Sequence, residues 1–182
     1  MQRFIQSTDQ PCFRLALAGM FMYNDTVKKR LRCGNQNRTE FKEALPLIQV
    51  IAGRKGSGKT KRIIDMANKA SQDSKNDIVF IDDDNRYMFD LRHEVRFINA
   101  TEYDLTNDQM FTGFLVGAVS QNFDVGLILI DAFKKLIKLD LKDTEPFFRR
   151  LEDISEKHNV DFVLSISEAP AELPEFIQKY VI

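Results

Sequence analysis

The sequence predicts an α/β protein of three layers, a mostly parallel sheet with helices on both faces. Two observations carry that expectation. From residue 47 onward, short apolar runs rich in Val, Ile, Leu and Phe alternate with longer stretches whose apolar residues recur every three or four positions. Regular alternation of strand and helix means a parallel sheet wound with crossover helices. A glycine-rich stretch, GRKGSGKT at residues 53–60, also falls between the first apolar run and the first helical stretch. In sheets of this kind ligands bind at the carboxyl ends of the strands, which is where that stretch lies.

The elements follow in order. The run LIQVIA at 47–52 places a strand at 48–52. A helix is expected over 58–71, with Ile63, Ile64, Ala67 and Ala70 on one face. Further strands are expected at 78–82, 95–99, 126–130 and 161–166. Helices are expected at 107–121, 132–139 and 145–158, with a short one near 172–178. Thr106 and Gln109 fit a capping box for the helix over 107–121. Thr144 with Pro146 fits the start of the helix that turns Phe147, Leu151 and Ile154 inward.

The residues of the glycine-rich stretch answer the demands of triphosphate binding. Gly53, Gly56 and Gly58 allow turns in which successive N–H groups point at one anion. Lys59 brings a compact charge to the β/γ-phosphates, and the Thr60 hydroxyl is a ligand for Mg²⁺. The expected binding loop is therefore Gly53, Arg54, Lys55, Gly56, Ser57, Gly58, Lys59 and Thr60, with the positive end of the following helix behind it. A second segment, VGLILID at 125–131, runs apolar into Asp131. That carboxylate either holds the far side of a Mg²⁺ shell or caps the next helix. The run IVFIDDDN at 78–85 offers Asp82, Asp83 and Asp84 as rivals for the metal role.

On GRKGSGKT and VGLILID the chain resembles the P-loop NTPase superfamily, with 125–131 similar to its Walker B strand. The resemblance implies ATP and Mg²⁺ as ligands, with Thr60 and Asp131 on the metal and Lys59 and Asp131 in catalysis. The RecA-like and AAA-like branch is favoured. In that branch a strand after Walker B carries a polar sensor, and VDFVLSIS at 160–167 offers Ser165 and Ser167. The same branch places a glutamate beside the Walker B aspartate. Here Ala132 and Phe133 follow Asp131, which implies slow hydrolysis. Glu168 is the candidate substitute base, and Arg149 or Arg150 the candidate arginine finger. The stretch 84–87 echoes a D-x-R-Y element of thymidine-kinase-like proteins, although their cysteine set is missing.

Composition narrows the function classes. The 182 residues carry 43% hydrophobic and 29% charged residues, ordinary for a globular chain. Residues 1–46 hold eight Lys/Arg against four Asp/Glu, while residues 47–182 hold 18 against 23. The acidic balance of the second part argues against a broad nucleic-acid surface. Cys12 and Cys33 both precede residue 47, so no disulfide framework is expected beyond it. His93 and His158 read as surface residues. One domain is expected: a nucleotide-binding domain over 47–182, preceded by an N-terminal extension over 1–46.

The extension reads either as a poorly packed appendage or as a segment upstream of the true start. Lys42-Glu43-Ala44 can be encoded as a ribosome-binding sequence ahead of a TTG start at Leu47. A chain beginning at Leu47 is then expected to fold and bind ATP unaided. The whole reading is a cytoplasmic, bacterial-type protein that binds Mg²⁺-ATP and hydrolyses it slowly, as a switch. Its partners are ATP and either a protein or a second copy, with no membrane. A small-molecule phosphotransferase and a nucleotide-dependent interaction module without turnover are the alternatives.

Overall fold

The computed structural model describes residues 47–182, and the expectations for the extension lie outside those residues. Five strands form one sheet: β1 (Ile48–Ala52), β2 (Asp77–Asp82), β3 (Val95–Asn99), β4 (Val125–Ile130) and β5 (Asp161–Ile166). Their spatial order is β1-β5-β4-β2-β3, and every pair is parallel. The helices are α1 (Lys59–Asp73), α2 (Asp108–Gln121), α3 (Phe133–Ile137), α4 (Glu145–His158) and α5 (Glu175–Gln178). Among the described residues no helix is long and apolar enough to cross a membrane.

The inner strands β2, β4 and β5 are largely buried on both faces and read as continuous apolar runs, whereas the edge strands β1 and β3 carry Gln49 and an exposed Arg96. One face carries α1: Ile63, Ile64 and Ala67 pack on Phe80, Leu129 and Val163. The other face is larger and takes α2, α3 and α4, whose Phe111, Phe133 and Phe147 meet Val79, Ile128 and Phe162. Phe147 is the hub there, with ring centroids 5.8 Å from Phe111 and 5.4 Å from Phe133. Its neighbour Phe148 is also buried and stacks on Tyr180 at 5.5 Å. The aromatic step of α4 therefore ties α2, α3 and the end of the chain into one core.

Several local expectations need correction. The cap of α2 is Asn107, whose side chain accepts from Met110 N at 2.8 Å, and not Thr106. The Thr106 hydroxyl contacts the Met110 sulfur instead, at 3.1 Å. Thr144 does precede α4, yet its buried hydroxyl donates back to Leu141 O at 2.7 Å rather than forward into the helix. The helix expected at 132–139 is one short turn, Phe133–Ile137, flanked by left-handed residues Ala132 and Lys138. Asp131 is not the cap of that helix; Ala132 holds the position and no side chain caps it.

Candidate active site at the carboxyl edge of the sheet

The turn between β1 and α1 is shaped by three glycines for two different reasons. Gly56 and Gly58 have φ of 85° and 82°, the left-handed region that a Cβ penalises. Gly53 has no such backbone; there a Cβ would meet Ser57 Oγ at 2.5 Å. The expectation that all three serve turns holds for the last two only.

Gly58 stands at the N-terminus of α1, where no side chain caps the helix and no acidic residue lies in the first turn. The leading N–H groups of a 15-residue helix are thus left for an external acceptor. Lys59 is only 8% exposed and folds its ammonium back over the loop onto Arg54 O, at 3.0 Å. The same carbonyl accepts from Ser57 N at 3.1 Å.

Opposite the loop, polar residues from neighbouring strands form a row. The register pairs Phe80 with Leu129 and Leu129 with Val163, and all three side chains lie on the α1 face. Two positions further along each strand, where side chains return to the same face, come Asp82, Asp131 and Ser165. All three are nearly inaccessible, at 2%, 5% and 1% exposure. Ser165 donates to Asp131 Oδ1. Ala132 N donates to both Asp131 Oδ1, at 2.9 Å, and Ser165 Oγ, at 3.1 Å. That amide is aimed by a left-handed Ala132, φ 50°, a conformation costing a non-glycine residue roughly 1–2 kcal/mol.

The aspartate triplet after β2 divides its work. Asp83 is held by Lys135 at 2.5 Å and Asp84 by Arg86 at 2.6 Å. Among the described residues Asp82 accepts one hydrogen bond, from the Asp83 amide at 2.7 Å. Burial, followed by the charges of Asp131, Asp83 and Asp84, pushes its carboxyl up to about 7, against which the Asp83 amide works.

A cleft of about 1170 Å³ joins the loop to this row. Lys55, Gly56, Gly58, Lys59 and Thr60 line it from the loop, and Asp82, Asp131 and Ser167 from the strand ends. Its third wall runs between α1 and the segment after β2, with Asn68, Arg86 and Tyr87. Asn68 fixes that wall, donating to Asp90 O and accepting from Arg92 N, both at 2.8 Å.

Other expected residues stand apart. Arg54 pairs with Glu172 at 3.0 Å and is largely exposed, and neither it, Gly53 nor Ser57 lines the cleft. Glu168 is tied to Lys134. Arg149 pairs along its helix with Glu145 at 2.6 Å, Arg150 lies 3.9 Å from Asp108, and both are absent from the cleft walls. His93 is exposed beside Glu94.

The arrangement presents helix amides and a buried ammonium on one side and paired carboxylates on the other. It can hold an anion and a hard cation together. No family model matches the sequence, and a search of curated proteins returns no match.

Proposed function

We propose that the chain is a P-loop protein that binds Mg²⁺-ATP in this cleft and turns it over slowly, as a switch. The observation that carries the reading is the uncapped start of α1 behind Gly56 and Gly58, with buried Lys59 facing buried Asp82 and Asp131 across one cleft. A lysine this buried with one neutral acceptor, and two desolvated carboxylates side by side, are poor arrangements for stability alone. Each becomes favourable with the partner it lacks: phosphate oxygens for Lys59 and the α1 amides, a divalent cation for the carboxylates.

The residues fit these groups as follows. The α1 amides and Lys59 bind the phosphates, Thr60 and Asp131 hold the metal, and Ser165 with Ala132 N orients Asp131. Bound Mg²⁺ would neutralise charge as the terminal phosphoryl leaves. Slow turnover follows from what the cleft wall omits. No glutamate is among the described residues lining it, and Glu168 is occupied by Lys134. A RecA-like or AAA-like affinity is supported by β5, which carries Ser165 and lies between the loop strand β1 and the Asp131 strand β4. A phosphotransferase is the second reading, favoured by the Asn68-braced wall with Arg86 and Tyr87, which leaves room beside the phosphates for an acceptor.

Calorimetric titration with ATP, with and without Mg²⁺, tests the reading. Saturable ATP binding strengthened by Mg²⁺, with turnover of about one per minute or slower, is expected (on the order of the unassisted rates of P-loop switches). Absence of ATP binding in folded protein refutes it.

A further inference from the structure

We infer that Lys134 senses the terminal phosphate of the bound nucleotide, leaving Glu168 when ATP is present and returning to it when only ADP is. The inference rests on the Mg²⁺-ATP reading of the cleft and adds to it the residue that tells the two nucleotides apart.

The cations that line the cleft enter it from three directions. Lys55, Lys59 and Lys61 come from the loop and the start of α1, Arg86 from the segment after β2, and Lys134 and Lys135 from α3. Helix α3 begins at Phe133, two residues after Asp131, so its lysines enter beside the carboxylate on the metal side of the cleft. The loop takes the inner phosphates in this reading, and a group entering beside Asp131 meets the last one. Arg86 is bound within its own segment, to Asp84 at 2.6 Å. Lys135 is held at 2.5 Å by Asp83, whose side chain is only 18% exposed, and Asp84 adds to that attraction. Lys134 is held more loosely: its side chain is 44% exposed and that of its partner Glu168 is 28% exposed.

An ion pair this open to water and salt contributes little. A terminal phosphoryl group carries about two negative charges and offers strong acceptor oxygens to an ammonium. Lys134 therefore gains by changing partner when that group arrives, and gains nothing from ADP, which lacks it. Phe133, Leu136 and Ile137 are buried and fix α3 in the core, so the exchange needs only rotation of the flexible lysine stem. The same exchange uncovers the Glu168 carboxylate in the ATP state alone. A switch thereby acquires a surface charge that differs between its two states.

The test is calorimetric titration of the full chain with ATP and with ADP, each in the presence of Mg²⁺. Lys134→Met should lower ATP affinity about tenfold and leave ADP affinity unchanged. Glu168→Gln removes the competing partner and should raise ATP affinity roughly twofold to fivefold, again without effect on ADP. Opposite signs from the two ends of one ion pair distinguish this role from a structural one, in which loss of either end acts in the same direction. Lys142→Met, at an exposed lysine outside the cleft walls, controls for the loss of one charge and should leave the ratio of ATP to ADP affinity unchanged. A wild-type ratio in Lys134→Met, or unchanged or weakened ATP binding in Glu168→Gln, overturns the inference. The Glu168→Gln result decides the matter alone if Lys134→Met fails to fold. Wild-type protein that binds neither nucleotide sinks the nucleotide reading and the sensor with it, whereas wild-type ATP binding with an unmoved ratio in both variants sinks the sensor alone.

Discussion

Lys59→Met should separate a ligand-binding lysine from a structural one. In the nucleotide-free fold Lys59 is 8% exposed, and its one hydrogen bond goes to Arg54 O at 3.0 Å. Methionine keeps an unbranched apolar stem of similar reach and removes only the charge. The loop does not lose its closure, since Arg54 O still accepts from Ser57 N at 3.1 Å. Losing a hydrogen bond to a charged donor costs about 1.5–3 kcal/mol at most. The contact is only partly buried and opens on the cleft, so the loss falls at the low end of that range, and the thermal midpoint is expected within a few degrees of wild type. ATP binding bears the full loss, because the ammonium is the only buried cation on the phosphate side of the cleft among the described residues. Removing a charge-assisted contact of about 1.5–3 kcal/mol lowers affinity roughly tenfold to hundredfold. Calorimetry with ATP and a melting curve in the same buffer give both numbers. A folded variant that binds ATP as tightly as wild type would refute the phosphate-loop reasoning. A midpoint lower by ten degrees would show that Lys59 is retained for the fold.

Three further outcomes follow from named contacts. In metal-free protein Asp82 imposes a pH slope: its carboxyl stands at about 7 in the fold against 3.8 ordinarily, so the folded state keeps a proton that the unfolded chain has lost. Stability from this group is full below 3.8 and is lost as pH rises to about 7; denaturant midpoints across pH should show the slope in wild type and not in Asp82→Asn. Gly53→Ala should deform the loop, since the new Cβ would lie 2.5 Å from Ser57 Oγ; ATP affinity should fall with the melting midpoint little changed, and unchanged affinity would show that the loop gives way freely. Asn68→Ala removes both 2.8 Å bonds that brace the segment after β2, and should cost about 1–3 kcal/mol with faster amide exchange confined to residues 83–92; protection unaltered there would deny Asn68 that role.

The parallel sheet was legible because its inner strands β2, β4 and β5 are largely buried on both faces and so appear as near-continuous apolar runs. The motif loop was legible because glycine, lysine and threonine stand at fixed spacing for a local reason. What needed three dimensions was every relation between segments distant along the chain. Thr106 and Asn107 are consecutive cap candidates, and only the path from β3 into α2 decides that Asn107 reaches Met110 N. Glu168 reads as a free base until the fold brings Lys134 to it from 34 positions away.

The two aspartate-ended runs show the limit most clearly. Read along the chain, FID at 80–82 and LID at 129–131 compete for one metal role, and the longer apolar run favours Asp131. Read across the sheet they are neighbours, because β2 and β4 are adjacent and in register from Ile78–Leu127 to Ile81–Ile130. The same two-residue step from Val163 to Ser165 puts a hydroxyl on the next strand over. Side-chain alternation alone tells which face each polar residue takes once its strand is known. It is the strand order, β5 then β4 then β2, that turns three separate strand endings into one row of Ser165, Asp131 and Asp82. That order is a property of how α1 and the other helices divide between the faces, which no single segment contains. Rival carboxylates, posed by the sequence as one or the other, are thus two neighbours in a single row.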